Sequence, residues 1–305
     1  MSREVRRVSP TSLAIYAACP RQYQYDKDWR VNSPEESRRY LDRGLAYHAA
    51  IEDVCRVVSE RAGQVSDEWI QQRAMDAIEA RWQEMSERRE YVSDAQYAYD
   101  HDLAAAAVQD YFENDGLEHA RHSLDQEVWL ECDHGDVHLL GRADNIVRTD
   151  YGLQVIDYKG KLDGIISGAS QGKLVSHAKG DEYAADVLKS VFQAATYIEG
   201  AKATEYFEPG MSVEFTFYGL LQSPERTRHL DGIQVSVSGR SRDVGWLYAE
   251  YEDTIWGLIE AAYEGILTSS YEPEPWDLIR EHACEDCGYR AMCGDYLGAE
   301  VGVGE

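Results

Sequence analysis

The stretch GRADNIVRTDYGLQVIDYKGK, residues 141–161, decides the fold of this chain. Its apolar residues alternate with polar ones or run together on both sides of the turn residues TDYG, a pattern typical of two strands joined in a hairpin. Side chains alternate along a strand, so Asp157 and Lys159 point to the same face. A tight hairpin can bring Asp144 beside Asp157. The stretch therefore predicts two carboxylates and one ammonium group at the ends of neighbouring strands.

These three groups have the chemistry of a divalent-metal site. Hard cations such as Mg²⁺ and Mn²⁺ take oxygen ligands, which Asp144 and Asp157 supply. The ammonium group of Lys159 can orient or deprotonate a water, or neutralise charge on a phosphorane-like transition state. The motif D-x-K is weak alone, because a solvent-exposed Asp–Lys pair on a hairpin has the same letters. A functional interpretation of the hairpin therefore depends on further motifs in other parts of the chain.

The rest of the chain predicts helices around a small sheet. Apolar residues recur at helical spacing before residue 115 and again after the hairpin. A loop rich in Gly, Ser and Lys is expected at 160–181. Helices are predicted within 9–30 and at 36–60, 66–88, 96–114, 186–201 and 243–268, and strands at 125–132, 136–148, 153–159, 211–221 and 232–238. This order indicates an α/β fold with a mixed core wrapped in helices.

The composition is that of a folded but very acidic protein. The hydrophobic content is 44% and the formal net charge is −26, with seven Lys among 30 basic residues. Proteins that bind nucleic acid are usually basic, at least locally. A dispersed acidic, lysine-poor surface instead predicts a halophilic protein, because molar salt screens charges within about 3 Å. The alternative is a mesophilic acidic protein that does not touch nucleic acid.

Neither a membrane span nor a secretory signal is expected. The chain has no run of about 18 apolar residues, and its first residues, MSREVRRVSP, carry charge with no apolar core behind them. The sequence therefore predicts a cytoplasmic protein with no membrane partner. Thiols stay reduced in that compartment, where clustered cysteines are metal ligands more often than disulfides.

Three further polar residues are individually weak signals. His48 lies on a predicted helix, one turn after Gly44, where a histidine is usually a surface or core residue. Gln193 and Tyr197 form an i, i+4 pair on one face of a later helix, a spacing that more often serves packing. As functional groups, the glutamine could bond a phosphate or the attacking water, and the tyrosine could stack on a base.

Taken in order, these residues resemble the RecB/AddB-like branch of the PD-(D/E)XK nuclease superfamily, which includes CRISPR-associated RecB-like iron–sulfur exonucleases. That family has a helical His, an Asp after a Gly on one strand, D/E-x-K on the next and Q-x-x-x-Y on a helix. The resemblance implies a divalent-metal site formed by His48, Asp144, Asp157 and the Tyr158 carbonyl. It implies that Lys159 serves the water and that Gln193 and Tyr197 contact DNA. The implied catalytic set is Asp144, Asp157, Lys159, Gln193 and Tyr197.

The resemblance also implies a restriction-endonuclease-like core, a mixed central sheet flanked by helices, with a helical N-terminal region and a C-terminal iron–sulfur segment. We expect residues 1–120 to hold an N-terminal cysteine segment and helices, and 121–242 to hold the nuclease core. Residues 243–305 are expected to hold a helix and the cysteine-rich segment, packed with the N-terminus as one unit.

Two features depart from the family pattern. Gly160 follows DYK where Thr or Ser is common, and the segment 160–185 is longer than usual before the Gln helix. The longer segment could gate the site or contact substrate. Glu127 precedes the strand of Asp144 and could add a carboxylate, but we expect it to be a solvated strand acid.

A cluster of thiols lies near the C-terminus, with the spacing C-x2-C-x5-C formed by Cys284, Cys287 and Cys293. The resemblance implies that Cys19, in the context CP, is the fourth ligand of a [4Fe–4S] cluster. Zn²⁺ is the alternative, although structural zinc more often uses two C-x2-C pairs. The cluster would tie the N-terminal segment to the C-terminal one.

Other residues near these cysteines have smaller expected roles. His282 is expected to be a surface residue rather than a spare ligand. Cys55 and Cys132 have no partner at ligand spacing and are expected to be ordinary buried thiols. Three arginines fall near the expected cluster and could shape a DNA path: Arg21, Arg30 and Arg290.

The leading hypothesis is a metal-dependent DNA nuclease, an exonuclease on single-stranded or frayed DNA ends. Its setting would be recombination or repair, end processing, or CRISPR spacer acquisition. One alternative is a catalytically inactive DNA-binding or scaffold subunit, which the intact D-x-K motif argues against. Another is a redox-responsive iron–sulfur protein. The sequence has no phosphate-binding loop of the type G-x-x-x-x-G-K-[ST], so unwinding would require a partner helicase; CRISPR adaptation proteins are the other expected partners.

Overall fold

The computed structural model describes residues 6–31, 39–61, 64–87, 91, 93–162, 165–166, 169–229, 232–285 and 287–301. The strands are β1 (Ser123–His134), β2 (Val137–Arg148), β3 (Gly152–Lys159), β4 (Ser212–His229) and β5 (Gly232–Asp243). The helices are α1 (Pro10–Ala18), α2 (Pro20–Tyr23), α3 (Arg39–Glu60), α4 (Asp67–Ser86), α5 (Asp94–Glu113), α6 (Gly116–His122), α7 (Ser170–Lys179), α8 (Ala185–Lys202), α9 (Gly245–Glu250), α10 (Glu252–Thr268), α11 (Trp276–Ala283) and α12 (Gly294–Val301).

The strands form a mixed sheet in the order β1-β2-β3-β4-β5. Neighbouring strands pair antiparallel except β3 and β4, which are parallel. A parallel pair needs a long crossover, and here α7 and α8 provide it. This mixed sheet flanked by helices confirms the predicted fold class.

β2 and β3 separate at the end where the charged residues lie. Their pairing begins beside the turn and ends at Asn145 and Ile156, so Asp144 and Asp157 are the first residues beyond the last pair. β3 remains paired with β4 through Lys159. The sheet therefore forks between β2 and β3, and the two aspartates flank the fork.

The N-terminal segment covers the open side of β2 beyond the fork. Val8 forms a parallel bridge with Leu139. The Val8 N–H donates to the His138 carbonyl at 3.0 Å, and the Leu140 N–H donates to the Val8 carbonyl at 3.1 Å. These bonds satisfy main-chain groups that face away from β1.

Each face of the sheet has its own hydrophobic core. On β3, Leu153 and Val155 pack with α1, α8 and α10, whereas Ile156 and Tyr158 pack with α3, α4 and α5. The sheet approaches α8 closely at Gly141, where an added Cβ would lie 2.3 Å from the ring of Tyr197. Only glycine fits there, because any side chain would overlap the tyrosine ring.

The structure corrects several predicted elements. The expected loop at 160–181 is wrong, because Ser170–Lys179 is helical and ends at Gly180 in the left-handed conformation, φ 78°. The predicted helix at 243–268 is two helices that meet at Tyr251. The helices α6, α11 and α12 were not predicted, and β4 and β5 extend beyond their predicted ends. Parts of the helices predicted at 36–60 and 66–88 lie outside the described residues.

Candidate metal centre

Asp144 is fixed by the main chain of the strand across the fork. Its Oδ2 atom accepts the Tyr158 N–H at 2.6 Å, so the carboxylate takes the place of a strand partner. The N–H and C=O of one strand residue face the same neighbour. The Tyr158 carbonyl therefore also faces the fork, where the sequence predicts a metal ligand.

His48 reaches the fork from α3. Its Nδ1 atom lies 3.4 Å from Oδ2 of Asp144, and its ring packs edge-on against Tyr158, with centroids 5.9 Å apart. Burial alone would lower the pKa of His48, but the charge and hydrogen bond of Asp144 outweigh burial and raise this pKa. The predicted neighbours His48 and Asp144 are therefore brought together.

Glu127 completes a ligand set with these two residues. The β1–β2 register places it opposite Asp144. One ligand atom each from His48, Glu127 and Asp144 lies within 4.8 Å of the others. Burial raises the pKa of Glu127, and the charge of Asp144 adds to this effect. Glu127, expected to be solvated, has a side chain only 20% exposed and belongs to the centre.

Asp157 and Lys159 face the fork from the next strand. The Lys159 ammonium is ion-paired with Oδ2 of Asp157, as the period of two predicts. Asp157 is 5% exposed. Burial raises the pKa of Asp157 to about 6; Lys159 opposes the shift and Asp144 adds to it. A neighbouring cation would favour the ionised form of this carboxyl.

α8 contributes one further face of the centre. Gln193 is buried, and its Oε1 atom has no hydrogen-bond partner among the described residues. Tyr197 is also buried, and its hydroxyl donates to the Arg142 carbonyl at 2.9 Å. Burial, with the charge of Asp157, raises the pKa of Tyr197. The tyrosine thus holds β2 against α8, and its predicted contact with DNA stays a prediction.

Sequence analysis missed Lys189, one turn before Gln193. Burial and the charge of Lys159 lower the pKa of Lys189, whereas Asp157 raises it. Lys189 is exposed, and it lies on the same face of α8 as Gln193. The signal in the sequence was the spacing 189, 193, 197, which places three polar residues on one helix face.

A buried polar network lies behind the fork. The hydroxyls of Tyr158 and Tyr111 are 2.6 Å apart, and the Tyr111 hydroxyl lies 2.9 Å from Nδ1 of His119. Asn145 donates to the Tyr158 hydroxyl at 3.2 Å and accepts from Ser123 at 2.6 Å. Two of these residues adjoin the site aspartates in sequence, so the network anchors both strands where they separate.

The four predicted cluster ligands line one pocket: Cys19, Cys284, Cys287 and Cys293. All four are free thiols. No three of their sulfur atoms, all within the described chain, lie within 4.8 Å of one another.

Residues around this pocket have local partners. Arg21 is ion-paired with Asp295 at 2.6 Å, and the Arg290 guanidinium lies 4.6 Å from the Tyr296 ring centroid. His282 stacks on Tyr183 with centroids 5.7 Å apart.

The remaining predictions near the cysteines have mixed outcomes. Arg30 is exposed, and its role in a DNA path stays a prediction. His282 is a surface residue, as predicted, with a side chain 43% exposed. Cys55 and Cys132 are confirmed as buried thiols outside the pocket.

One class of metal-dependent nucleases is defined by a mixed sheet that forks between two strands, each with an aspartate at the fork. A histidine from a helix and a lysine beside the second aspartate complete its site. The sequence profile of the PD-(D/E)XK nuclease superfamily matches residues 7–294, and the chain belongs to this superfamily. Its members hydrolyse phosphodiesters with divalent metals such as Mg²⁺ or Mn²⁺. Comparison with curated proteins gives no match. In the described part of the chain, no helix has the length and apolar character needed to cross a bilayer.

Proposed function

We propose that this protein is a metal-dependent DNA nuclease that acts as an exonuclease on single-stranded or frayed ends. The convergence of His48, Glu127 and Asp144 beside the Asp157–Lys159 pair carries this proposal. One imidazole and several carboxylates form a donor set that Mg²⁺ or Mn²⁺ accepts. Asp157 and the Tyr158 carbonyl complete the ligand set that we assign to the divalent ion.

Each polar group of the centre has a separate proposed role in hydrolysis. When bound, the divalent ion supplies Lewis-acid stabilisation of charge on the scissile phosphate. Lys159, held by Asp157, can orient the attacking water as an ammonium group; only as the neutral amine can it take the proton of that water. The buried Oε1 atom of Gln193 is an acceptor, so it suits a water hydrogen better than a phosphate oxygen. Lys189 adds positive charge for the phosphate.

We also propose a [4Fe–4S] cluster held by Cys19, Cys284, Cys287 and Cys293. Four thiolates are the usual ligand set of such a cluster. The four thiols line one shared pocket, and a ligand that stands alone in the sequence, Cys19, is less usual for structural zinc, which more often uses two C-x2-C pairs. The cluster would join the N-terminal and C-terminal segments and take no part in hydrolysis.

The proposed setting follows from the resemblance to the RecB/AddB-like branch. It is DNA recombination or repair, end processing or CRISPR spacer acquisition. The expected partners are DNA, a helicase that supplies unwinding, and CRISPR adaptation proteins.

Digestion of end-labelled DNA with Mn²⁺ or Mg²⁺ in high KCl tests the proposed activity. We expect linear single strands to be shortened from an end and circular ones to persist. Lys159→Ala should lower the rate at least about 100-fold, because it removes the group that serves the water. Lys202→Ala, at the far end of α8, is the matched control and should cut like the parent. Equal cutting by Lys159→Ala would show that the active site is elsewhere.

A further inference from the structure

Trp129 is an exposed indole beside the carboxylate centre. It is 61% exposed and lies two residues after Glu127 on β1. Glu127 has a positive φ of 53°, so the regular alternation of a strand does not apply there, and the link between the two side chains is Arg142, which contacts both. Trp129 pairs in register with Arg142, which lies two residues before Asp144 on β2. The indole and the guanidinium therefore extend the surface of the centre along the sheet.

Arg142 links the indole to the candidate metal ligands. Its guanidinium carbon lies 5.9 Å from the Trp129 ring centroid, within the range of a cation–π contact. The same guanidinium is ion-paired with the Glu127 carboxylate, and its Nε donates to the Glu127 carbonyl at 3.4 Å. The Arg142 side chain is 51% exposed. A guanidinium has five N–H donors, so these contacts leave donors for a second anion.

The exposed surface of this pair matches the chemistry of a nucleotide. An aromatic face stacks on any base, and a guanidinium binds phosphate. A cation next to the site also has particular value in a chain of net charge −26, where the wider field repels a phosphate backbone.

We propose that Trp129 and Arg142 form a subsite for one unpaired nucleotide of the DNA strand being cut. The base stacks on the indole, and its phosphate binds Arg142, beside the phosphate held at the carboxylate centre. A base inside a duplex has both faces covered by its neighbours, so the subsite selects unpaired nucleotides. The inference rests on the proposed nuclease function and adds to it a cause of the preference for single-stranded or frayed ends.

Binding of a single-stranded oligodeoxythymidine measures the stacking contact. The measurement is made on the full chain in the Lys159→Ala background, with Mn²⁺ in KCl, so that the strand is held without rapid cutting. We expect Trp129→Ala to weaken binding at least about fivefold and Trp129→Phe to restore most of the loss. Tyr151→Ala is the matched control, because Tyr151 is an 81% exposed aromatic residue at the distant turn of the β2–β3 hairpin. It should bind like the background protein.

Single abasic sites distinguish stacking from a general loss of contact. One position of the strand should be sensitive to base removal in the background protein, and Trp129→Ala should abolish that sensitivity. A hairpin-capped duplex has no free base face, so its binding should be the same with and without Trp129→Ala. Equal weakening of duplex and single strand would overturn the subsite.

The outcomes separate this inference from the proposed function. A parent protein that cuts DNA, together with a Trp129→Ala variant that binds as tightly as the background, overturns the subsite alone. A parent protein that neither binds nor cuts DNA overturns the nuclease proposal and the subsite with it. Cutting by the parent, with loss of one base-sensitive position in Trp129→Ala, supports both.

Discussion

The carboxylate centre and the thiol pocket are built in different ways. The centre sits on strands whose register fixes the separation of its ligands, with Asp144 bonded to the main chain of Tyr158. The thiol pocket joins an N-terminal cysteine to three in the C-terminal segment, and its walls come from short helices and turns. The sheet therefore holds the first site in place without a cofactor. We expect the second site to depend on bonds from its thiolates to the proposed cluster.

The largest expected effect is a loss of iron from the thiol pocket that leaves the carboxylate centre intact. We expect Cys19→Ala to lose most of the iron, about four atoms per chain in the parent, because a four-thiolate cluster loses one ligand. Asp157→Ala should lose cleavage but keep its iron, because its side chain lies at the other site. Iron and zinc content after anaerobic purification, with the 400 nm absorbance, measures both.

Cys132→Ala is the matched control for this prediction, because Cys132 is a buried thiol outside the pocket. It should retain its iron. Full metal content in Cys19→Ala would contradict the four-thiol site, and a zinc content of one per chain in the parent would replace the cluster with zinc.

A smaller effect concerns the polar network behind the carboxylate centre. Burial lowers the pKa of His119 to about 4 from an ordinary value near 6.5. Between these values the unfolded chain binds a proton that the folded chain does not, so stability falls as pH drops from 6.5 towards 4. The contribution is at most about 3 kcal/mol. His119→Gln should remove that part of the slope in urea unfolding at several pH values.

His122→Gln is the control for the pH measurement. His122 lies on the same helix with a side chain 56% exposed, so its replacement should leave the slope unchanged. Subtracting the two curves removes the titration of the many carboxylates. Identical curves for the two variants would contradict the lowered pKa, because they would mean that His119 has the same pKa in the folded and unfolded chain.

The smallest effect tests the hydroxyl that joins this network to the hairpin. Tyr158→Phe removes the bonds to Tyr111 and Asn145, whose other partners include His119 and Cys55. We expect the free energy of unfolding to fall by about 1–2 kcal/mol. Tyr151→Phe changes an exposed hydroxyl on the same hairpin and should have no effect on denaturant unfolding. An unchanged free energy of unfolding in Tyr158→Phe would show that the Tyr158 hydroxyl does not stabilise the fork.

The sequence predicted the hairpin well because its signals are local. Alternation and turn residues specify β2 and β3, and a period of two places Asp157 beside Lys159. The Asp144–Asp157 fork follows from the same short stretch. These parts need no knowledge of distant contacts.

Glu127 and Lys189 were harder to assign for a physical reason. Each is one charged residue on an otherwise ordinary element, and its role depends on which strand or helix packs beside it. The β1–β2 register, which sets Glu127 opposite Asp144, depends on a bulge near the start of β1 that composition does not reveal. The helix α7 was missed because Gly, Ser and Lys dominate a segment whose helical form depends on packing of Leu174 in the core.

The short bridge between Val8 and β2 has a consequence for self-association. A strand edge with unpaired main-chain groups is a template on which other chains can assemble. Val8 occupies such an edge on the strand of Asp144, and the segment that follows Val8 leads through α1 to Cys19. If the proposed cluster forms, a chain without it would hold this segment less firmly and uncover the edge more often. Iron supply would then govern how much of the protein stays dispersed and how much aggregates.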